Sequence, residues 1–205
     1  FLEKRGVLVK PFRPMNCGFE TPWTNHFISK ISHSPIKNIA VRFQGHTIAG
    51  EVMLTPFGVE GGAIYACSNL IRNQIEKEQK AVIEVDLKPH LSCEEILVRL
   101  KKKKNKTSMS NHLRKSINLD SSSILLLREL VPKEKMHDFQ YLASKIKSLE
   151  IPLLKTRPLS EAISTSGGVC FTGLTDNFEL SSLPGVYIVG EMLDFEAPTG
   201  GYLLQ

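Results

Sequence analysis

The sequence has 205 residues, of which 41% are hydrophobic and 23% are charged, and its formal net charge is +5. This length allows one large domain or two small ones with a hydrophobic core, and the composition is that of an ordinary globular protein. No apolar run approaches the roughly 18 residues that a membrane-spanning helix requires. We therefore expect no membrane contact.

The four cysteines, Cys17, Cys67, Cys93 and Cys170, are far apart, and no two form a CxxC pair. This spacing argues against a zinc site or a redox dithiol, so we predict no metal and expect reduced thiols in a cytoplasmic setting. Because the sequence begins at Phe1 rather than at a methionine, we also expect that further sequence precedes it.

The positive charge is concentrated in one run, and without this run the chain would be close to neutral. The run consists of Lys101, Lys102, Lys103, Lys104 and Lys106. Charge runs are usually solvated, so we favour a solvated helix end or loop and do not expect a nucleic-acid partner. The alternative is a non-catalytic binding module that contacts nucleic acid through residues 101–106.

The amino-terminal part of the chain has mainly β-type patterning with two helical stretches. In chain order the patterns predict an extended strand with prolines (6–14), a helix capped by Thr21 (22–32), a β-hairpin (36–57), a helix (63–78) and a strand (81–87). The hairpin and the following strand indicate a sheet, with the apolar stripe of the helix facing its core.

Between residues 92 and 150 the strand signals are replaced by helical ones. Ser92 and Glu95 have the spacing of a capping box, and three more short helices are predicted over 110–118, 121–131 and 138–149. At Ile151 the β pattern returns. The sequence therefore predicts an α+β fold in which a helical subdomain is inserted into a β unit.

The last part of the chain combines glycines and acids in a pattern that suits a nucleotide cofactor. A turn precedes a predicted buried strand (186–189), and Gly190, Glu191, Asp194 and a Thr-Gly-Gly step follow. Acids accept hydrogen bonds from sugar hydroxyls, and glycines at a helix start admit an electron-rich group. Taken alone, the two acids are equally well explained as turn residues. A second glycine pair at 167–168 favours the ligand interpretation.

Three segments near the carboxyl terminus resemble one known family. Residues 165–169, 184–194 and 198–205 resemble the carboxyl-terminal signature of the BaiN-like (aminoacetone-oxidase-like) FAD-dependent oxidoreductases. Residues 55–63 resemble a further family motif, and residues 5–19 resemble one branch of that family. The resemblance covers most of the chain and is weakest over residues 92–150.

The resemblance implies a Rossmann-type FAD domain that is interrupted by a β-barrel insert with a helical subdomain. Residues 1–160 would form the insert, with the helical subdomain at about 92–150, and residues 161–205 would be the returning part of the FAD domain. The cofactor-binding residues that it implies are Ser166, Gly167, Gly168, Val169, Gly190, Glu191, Asp194, Thr199, Gly200, Gly201 and Tyr202. It assigns no catalytic residue.

The chain departs from the family pattern in one respect, because it has no GxGxxG phosphate-binding turn. We therefore expect a fragment of a flavoprotein enzyme whose partner is the missing amino-terminal FAD-binding half. The parent would oxidise or reduce a small organic substrate with FAD, and NAD(P)H is one candidate redox partner. The isolated chain is expected to be inactive and to bind FAD poorly.

Overall fold

The computed structural model describes residues 1–31, 35–103 and 106–196. The strands are β1 (Val9–Met15), β2 (Phe19–Glu20), β3 (Pro35–Phe43), β4 (His46–Leu54), β5 (Gly58–Glu60), β6 (Ala81–Asp86), β7 (Leu149–Leu153), β8 (Lys155–Thr156) and β9 (Ser164–Val169). The α-helices are α1 (Asn25–Ile28), α2 (Gly62–Tyr65), α3 (Ser68–Glu78), α4 (Cys93–Lys101), α5 (Met109–Ile117), α6 (Ser121–Leu130) and α7 (Phe139–Lys147).

Seven of the strands form an antiparallel sheet that closes on itself. Its strand order is β7-β6-β3-β4-β5-β2-β8. The two outermost strands, β7 and β8, belong to one chain segment and are separated only by Leu154. A sheet whose two edges are the same segment has no free edge, so the strands form a barrel. The β-barrel that the family resemblance implies is confirmed.

The hairpin of β3 and β4 is the longest pairing in the barrel and follows its predicted position. Its register runs from Pro35 opposite Met53 to Phe43 opposite His46. Gln44 and Gly45 connect the strands, and both have positive φ angles, 46° and 81°. Two successive positive φ angles match the right-handed twist of paired strands, so the turn fixes the register of the hairpin.

The helical subdomain lies between β6 and β7, which are neighbours in the barrel. Its helices begin at side-chain caps: Ser92, Ser108, Asp120 and Asp138 each accept a hydrogen bond from a backbone N–H three residues later. The predicted capping box of Ser92 and Glu95 is present. Since α4 and α7 pack together and α7 also contacts β6 and β7, the subdomain shares one core with the barrel. The predicted α+β fold with an inserted helical part is confirmed.

A second, smaller unit lies outside the barrel sheet. Strands β1 and β9 form a two-stranded antiparallel ribbon, and the chain after β9 folds against it. This unit has its own apolar cluster, which consists of Val7, Val169, Leu180, Ile188 and Leu193. The ribbon thus connects the first residues of the chain to the last ones that the structure describes.

Three of the predicted elements differ from the structure. The buried strand predicted at 186–189 is wrong, because only Ile188 is buried and Tyr187 forms just an isolated bridge to Glu179. The first helix starts later than predicted, since Thr24 rather than Thr21 provides its cap. The helix predicted over 63–78 is divided at Cys67, whose backbone leaves the helical region at φ −119° and ψ 13°.

No helix within the described ranges combines the length and the apolar character that crossing a membrane requires.

Candidate functional site

The structure brings most of the predicted cofactor-binding residues together at one place, which we call the junction: β1, β9 and residues 190–196. Val169 at the end of β9 forms a parallel bridge with Leu193, and the Asp194 N–H donates to the Val169 carbonyl at 2.9 Å. The junction thus contains Ser166, Gly167, Gly168, Val169, Gly190, Glu191 and Asp194. Thr199, Gly200, Gly201 and Tyr202 lie outside the described residues.

The glycine pair allows a close approach of backbone, and here the approaching groups belong to the protein. Gly167 has a φ of +93°, and a Cβ at this position would lie 2.2 Å from the Pro11 carbonyl oxygen. Gly168 has a φ of +119°, and its Cβ would lie 2.5 Å from the Met192 carbonyl oxygen. Glycine is therefore required where β9 passes between β1 and residues 190–194. That these glycines also line a flavin pocket stays a prediction.

Ser166 is buried and contacts an arginine that the sequence analysis did not identify. Its hydroxyl accepts a hydrogen bond at 3.3 Å from Nη1 of Arg72, a residue of α3 that is only 1% exposed. The same nitrogen donates to the Pro14 carbonyl at 3.0 Å. The sequence did contain a signal, which is a charged residue within the apolar stripe of a helix. Arg72 directly follows Ile71 and lies three positions before Ile75, on the same helix face as Ile75.

Charged side chains hold the junction against α3. The carboxylate of Glu196 pairs with Nη2 of Arg72 and lies 3.4 Å from Nη2 of Arg13. Arg13 also pairs with Glu76 at 3.0 Å, and Nε of Arg72 lies 3.8 Å from the Glu76 carboxylate. That Nε is buried and makes no hydrogen bond within the described residues. A buried guanidinium needs a compensating charge, so Arg72 ties residues 190–196 to the barrel through Glu196.

Asp194 already has a partner. Its carboxylate forms an ion pair with Nζ of Lys10 on β1 at 2.6 Å. The hydrogen bond and the charge of Asp194 raise the pKa of Lys10 above its usual value. The Cys170 thiol lies 4.0 Å from the same carboxylate. Asp194 therefore links residues 190–196 to β1, and that it also contacts a cofactor stays a prediction.

Glu191 is placed differently from the other acids. It lies in a 3-10 turn, Gly190–Met192, and is exposed. Within the described ranges its carboxylate makes no hydrogen bond or ion pair. Its neighbours Val189 and Met192 are 66% and 50% exposed, although both are apolar. An unpaired carboxylate within an apolar surface is suited to accept hydrogen bonds from hydroxyl groups of a ligand.

The described residues offer no group of three potential metal ligands. Cys17 lies close to the junction but is buried, and burial raises the pKa of its thiol to about 11. A neutral, inaccessible thiol is a poor nucleophile. The structure therefore adds no catalytic residue to the sequence prediction, which assigned none.

The barrel with its inserted helices forms the larger part of an α+β protein, and the junction belongs to the smaller part. The exposed carboxylate of Glu191 lies on the surface of the smaller part. One family model, the HI0933-like protein barrel and H2TH domain, matches residues 13–164 of this chain. The match covers most of the chain, so the chain belongs to the HI0933-like family, which comprises FAD-dependent oxidoreductase-like proteins. The broad family assignment from the sequence is thus confirmed. The match ends at the first residue of β9, so the predicted cofactor residues lie beyond it.

Proposed function

We propose that this chain is the barrel insert and the returning segment of an FAD-dependent oxidoreductase in the branch that residues 5–19 resemble. Residues 1–160 would form the insert, and residues 161–205 would complete a Rossmann-type FAD domain. The parent enzyme would oxidise or reduce a small organic substrate, with NAD(P)H as one candidate redox partner. The spacing of the cysteines supports a cytoplasmic location.

The observation that carries this proposal is the contrast among the three acids of the junction. Asp194 and Glu196 are paired with Lys10 and with arginines, whereas the carboxylate of Glu191 is exposed and unpaired within the described ranges. Glu191 would therefore accept hydrogen bonds from ribityl or ribose hydroxyls of FAD. When bound, FAD would supply the electron transfer, and this chain would position it.

The surface around Glu191 has the character of a surface that contacts a partner domain. Val186, Tyr187, Val189 and Met192 are 39%, 58%, 66% and 50% exposed. Apolar side chains clustered around one turn are typical of a surface that another domain covers. The expected partner is the amino-terminal half that carries the GxGxxG turn, and contact with it would bury this surface beside the cofactor.

Reconstitution of FAD binding tests this proposal. The 205-residue chain alone should not retain stoichiometric FAD, whereas a polypeptide in which a Rossmann-type half precedes this chain should retain it. In that longer protein, Glu191→Gln should weaken FAD binding by about 10- to 100-fold, the range expected for hydrogen bonds to a charged group. Asp176→Asn removes another exposed acid and should have no effect.

Two results would contradict the proposal. A yellow 205-residue protein with one FAD per chain would show that the chain is not a fragment of the cofactor site. Equal FAD affinity of the wild type and Glu191→Gln, measured by fluorescence quenching of the flavin, would show that Glu191 does not contact the cofactor.

A further inference from the structure

The helical subdomain has a surface depression lined by positive charge. It lies between the carboxyl end of α4 and the second half of α5, and its volume is about 370 Å³. The lining residues are Arg99, Lys102, His112, Lys115 and Ser116. Arg99 and Lys102 are three positions apart, as are His112 and Lys115, so each helix end directs two of these residues toward the depression.

The floor of the depression is fixed by hydrogen bonds. Nε2 of His112 lies 2.9 Å from the Leu100 carbonyl, and because a carbonyl only accepts, this nitrogen carries the proton. The Ser116 hydroxyl donates to the His112 carbonyl at 2.7 Å. His112 is 7% exposed. The end of α4 is thus attached to α5, and the surrounding cations have a rigid base.

Among the residues that the structure describes, the three cations of the depression have no acidic partner. Arg99, Lys102 and Lys115 are exposed, no carboxylate lines the depression, and none of the three forms an ion pair within the described ranges. Elsewhere, exposed cations such as Lys135 and Lys155 pair with Asp138 and Glu20. Three like charges that converge without a counter-charge repel one another, and an anion bound among them would relieve this repulsion.

The helix dipoles do not account for this arrangement. Cations stabilise the carboxyl end of a helix by less than about 1 kcal/mol each at the surface, and this effect does not require cations of two helices to face the same depression. Here Arg99 and Lys102 from α4 converge with Lys115 from α5 on one depression. Arg99 offers a planar fork for phosphate oxygens, and the two lysines add point charges.

Positive charge continues beyond the depression, which favours a polymer over a single anion. Lys101, Lys106 and Arg114 are exposed on the same helices and the turn between them. An anionic membrane fits less well, because Val98 is the only large apolar side chain that is strongly exposed among the described residues of 92–150. Surfaces that bind membranes carry a broader apolar face.

We propose that the depression is a phosphate-binding site for a nucleic-acid backbone, with Arg99, Lys102 and Lys115 as its contacts. The site binds without base selectivity, because only cations and small polar groups line it. This proposal is independent of the proposed flavin function. It differs from the binding-module alternative of the sequence analysis, because its contacts come from two helices rather than from residues 101–106 alone.

Binding of a short fluorescent single-stranded RNA to the 205-residue chain, measured by anisotropy over a range of salt concentrations, tests the proposal. The triple variant Arg99→Gln, Lys102→Gln, Lys115→Gln should reduce the slope of log affinity against log salt by about two, as expected for three lost phosphate contacts. At about 0.1 M salt this corresponds to a loss of affinity of about a hundredfold.

The matched control removes the same charge at scattered exposed sites, with Lys4→Gln, Lys80→Gln and Lys133→Gln. It should retain most of the affinity and the wild-type slope. Lys102→Arg with Lys115→Arg should also retain binding, because the charge is kept. Equal losses in the control and the site variant would overturn the proposal, as would no RNA binding at low salt. Binding to phosphatidylserine vesicles without binding to RNA would overturn it as well.

Discussion

The barrel and the junction are stabilised in different ways. The barrel and its helices share one large apolar cluster in which residues such as Phe19, Ile83 and Leu100 are completely buried. The cluster of the smaller unit has only five buried residues, and the unit is connected to the barrel through Arg72 and Glu196. Apolar burial supports the barrel by itself, whereas the junction depends on glycine geometry and a few ion pairs.

This difference has a functional meaning. A barrel with no free edge forms a rigid base. The small unit carries Glu191 on its own surface, and a few polar contacts attach this unit to the barrel. Elements with few apolar contacts open at lower free energy than the core of the same protein. If the junction contacts a cofactor domain, that contact would supply the burial that the small cluster lacks.

The largest expected effect is the removal of apolar volume from the barrel. Ile83 on β6 is fully buried, and β6 pairs with β3 and β7 on its two sides. Ile83→Ala should lower the free energy of unfolding by about 2–5 kcal/mol. Val82→Ala changes the neighbouring side chain, which is 47% exposed on the opposite face, and should cost much less. Urea denaturation of both variants measures the difference, and equal losses would contradict a core position for Ile83.

The next prediction concerns the glycine step of the junction. Gly167→Ala adds a Cβ at a positive φ and against the Pro11 carbonyl, whereas Gly185→Ala adds one at a φ of +84° with no atom within 4 Å. Both should lose about 1–2 kcal/mol from backbone strain, and Gly167→Ala should lose more because of the clash. Hydrogen exchange should increase in β1 and β9 but not in β3 and β4. Equal destabilisation by the two variants would show that the close approach to Pro11 is not important.

The sequence was most informative where the signals are local. The cap at Ser92, the hairpin turn at Gln44 and Gly45, and the helices over 92–150 follow from patterns within a few residues. Closure of the barrel could not be predicted in the same way, because it depends on one segment, residues 149–156, pairing at both edges of the sheet. Such pairings are non-local.

The site shows the same division. The acids and glycines of the junction were identified from the sequence, but their partners come from distant positions. Arg72 meets Glu196 across more than 120 residues, and Lys10 meets Asp194 from the other end of the chain. The apolar run at 186–189 predicted a buried strand, yet strands need neighbours, and only an isolated bridge forms there.

A smaller effect on stability should distinguish Glu196, the structural acid of the junction, from Glu191, the candidate cofactor-binding acid. Glu196→Gln removes one of the two carboxylates that compensate the charge of the buried Arg72, and it should destabilise the junction by about 1–2 kcal/mol. Glu191→Gln changes an exposed acid without a described partner and should leave stability unchanged. Thermal unfolding and hydrogen exchange of β9 measure both. A stability loss at Glu191 equal to that at Glu196 would contradict the division of roles.

The smallest expected effect is a difference in reactivity among the four cysteine thiols. It tests the comparison between the barrel and the junction without a substitution in the core. Burial raises the pKa of Cys17 to about 11 and that of Cys67 to about 12, from about 9 in the unfolded chain. A thiol that stays protonated in the fold stabilises the protein below pH 9, and this contribution is lost as the pH rises through the folded-state pKa. At pH 8 the thiolate fraction of Cys17 should be about a hundredfold lower than in the unfolded chain.

Cys93, which is partly exposed, should therefore react first with a thiol reagent, and Cys17 and Cys67 last. Cys170 is 6% exposed but lies beside the junction, near Asp194. If the junction opens independently of the barrel, Cys170 should react before Cys17, since local opening exposes it without global unfolding. Glu196→Gln should then accelerate Cys170 and leave Cys17 unchanged, as peptide mapping of the modified protein would show. Equal acceleration of both thiols would mean that the junction and the barrel open together.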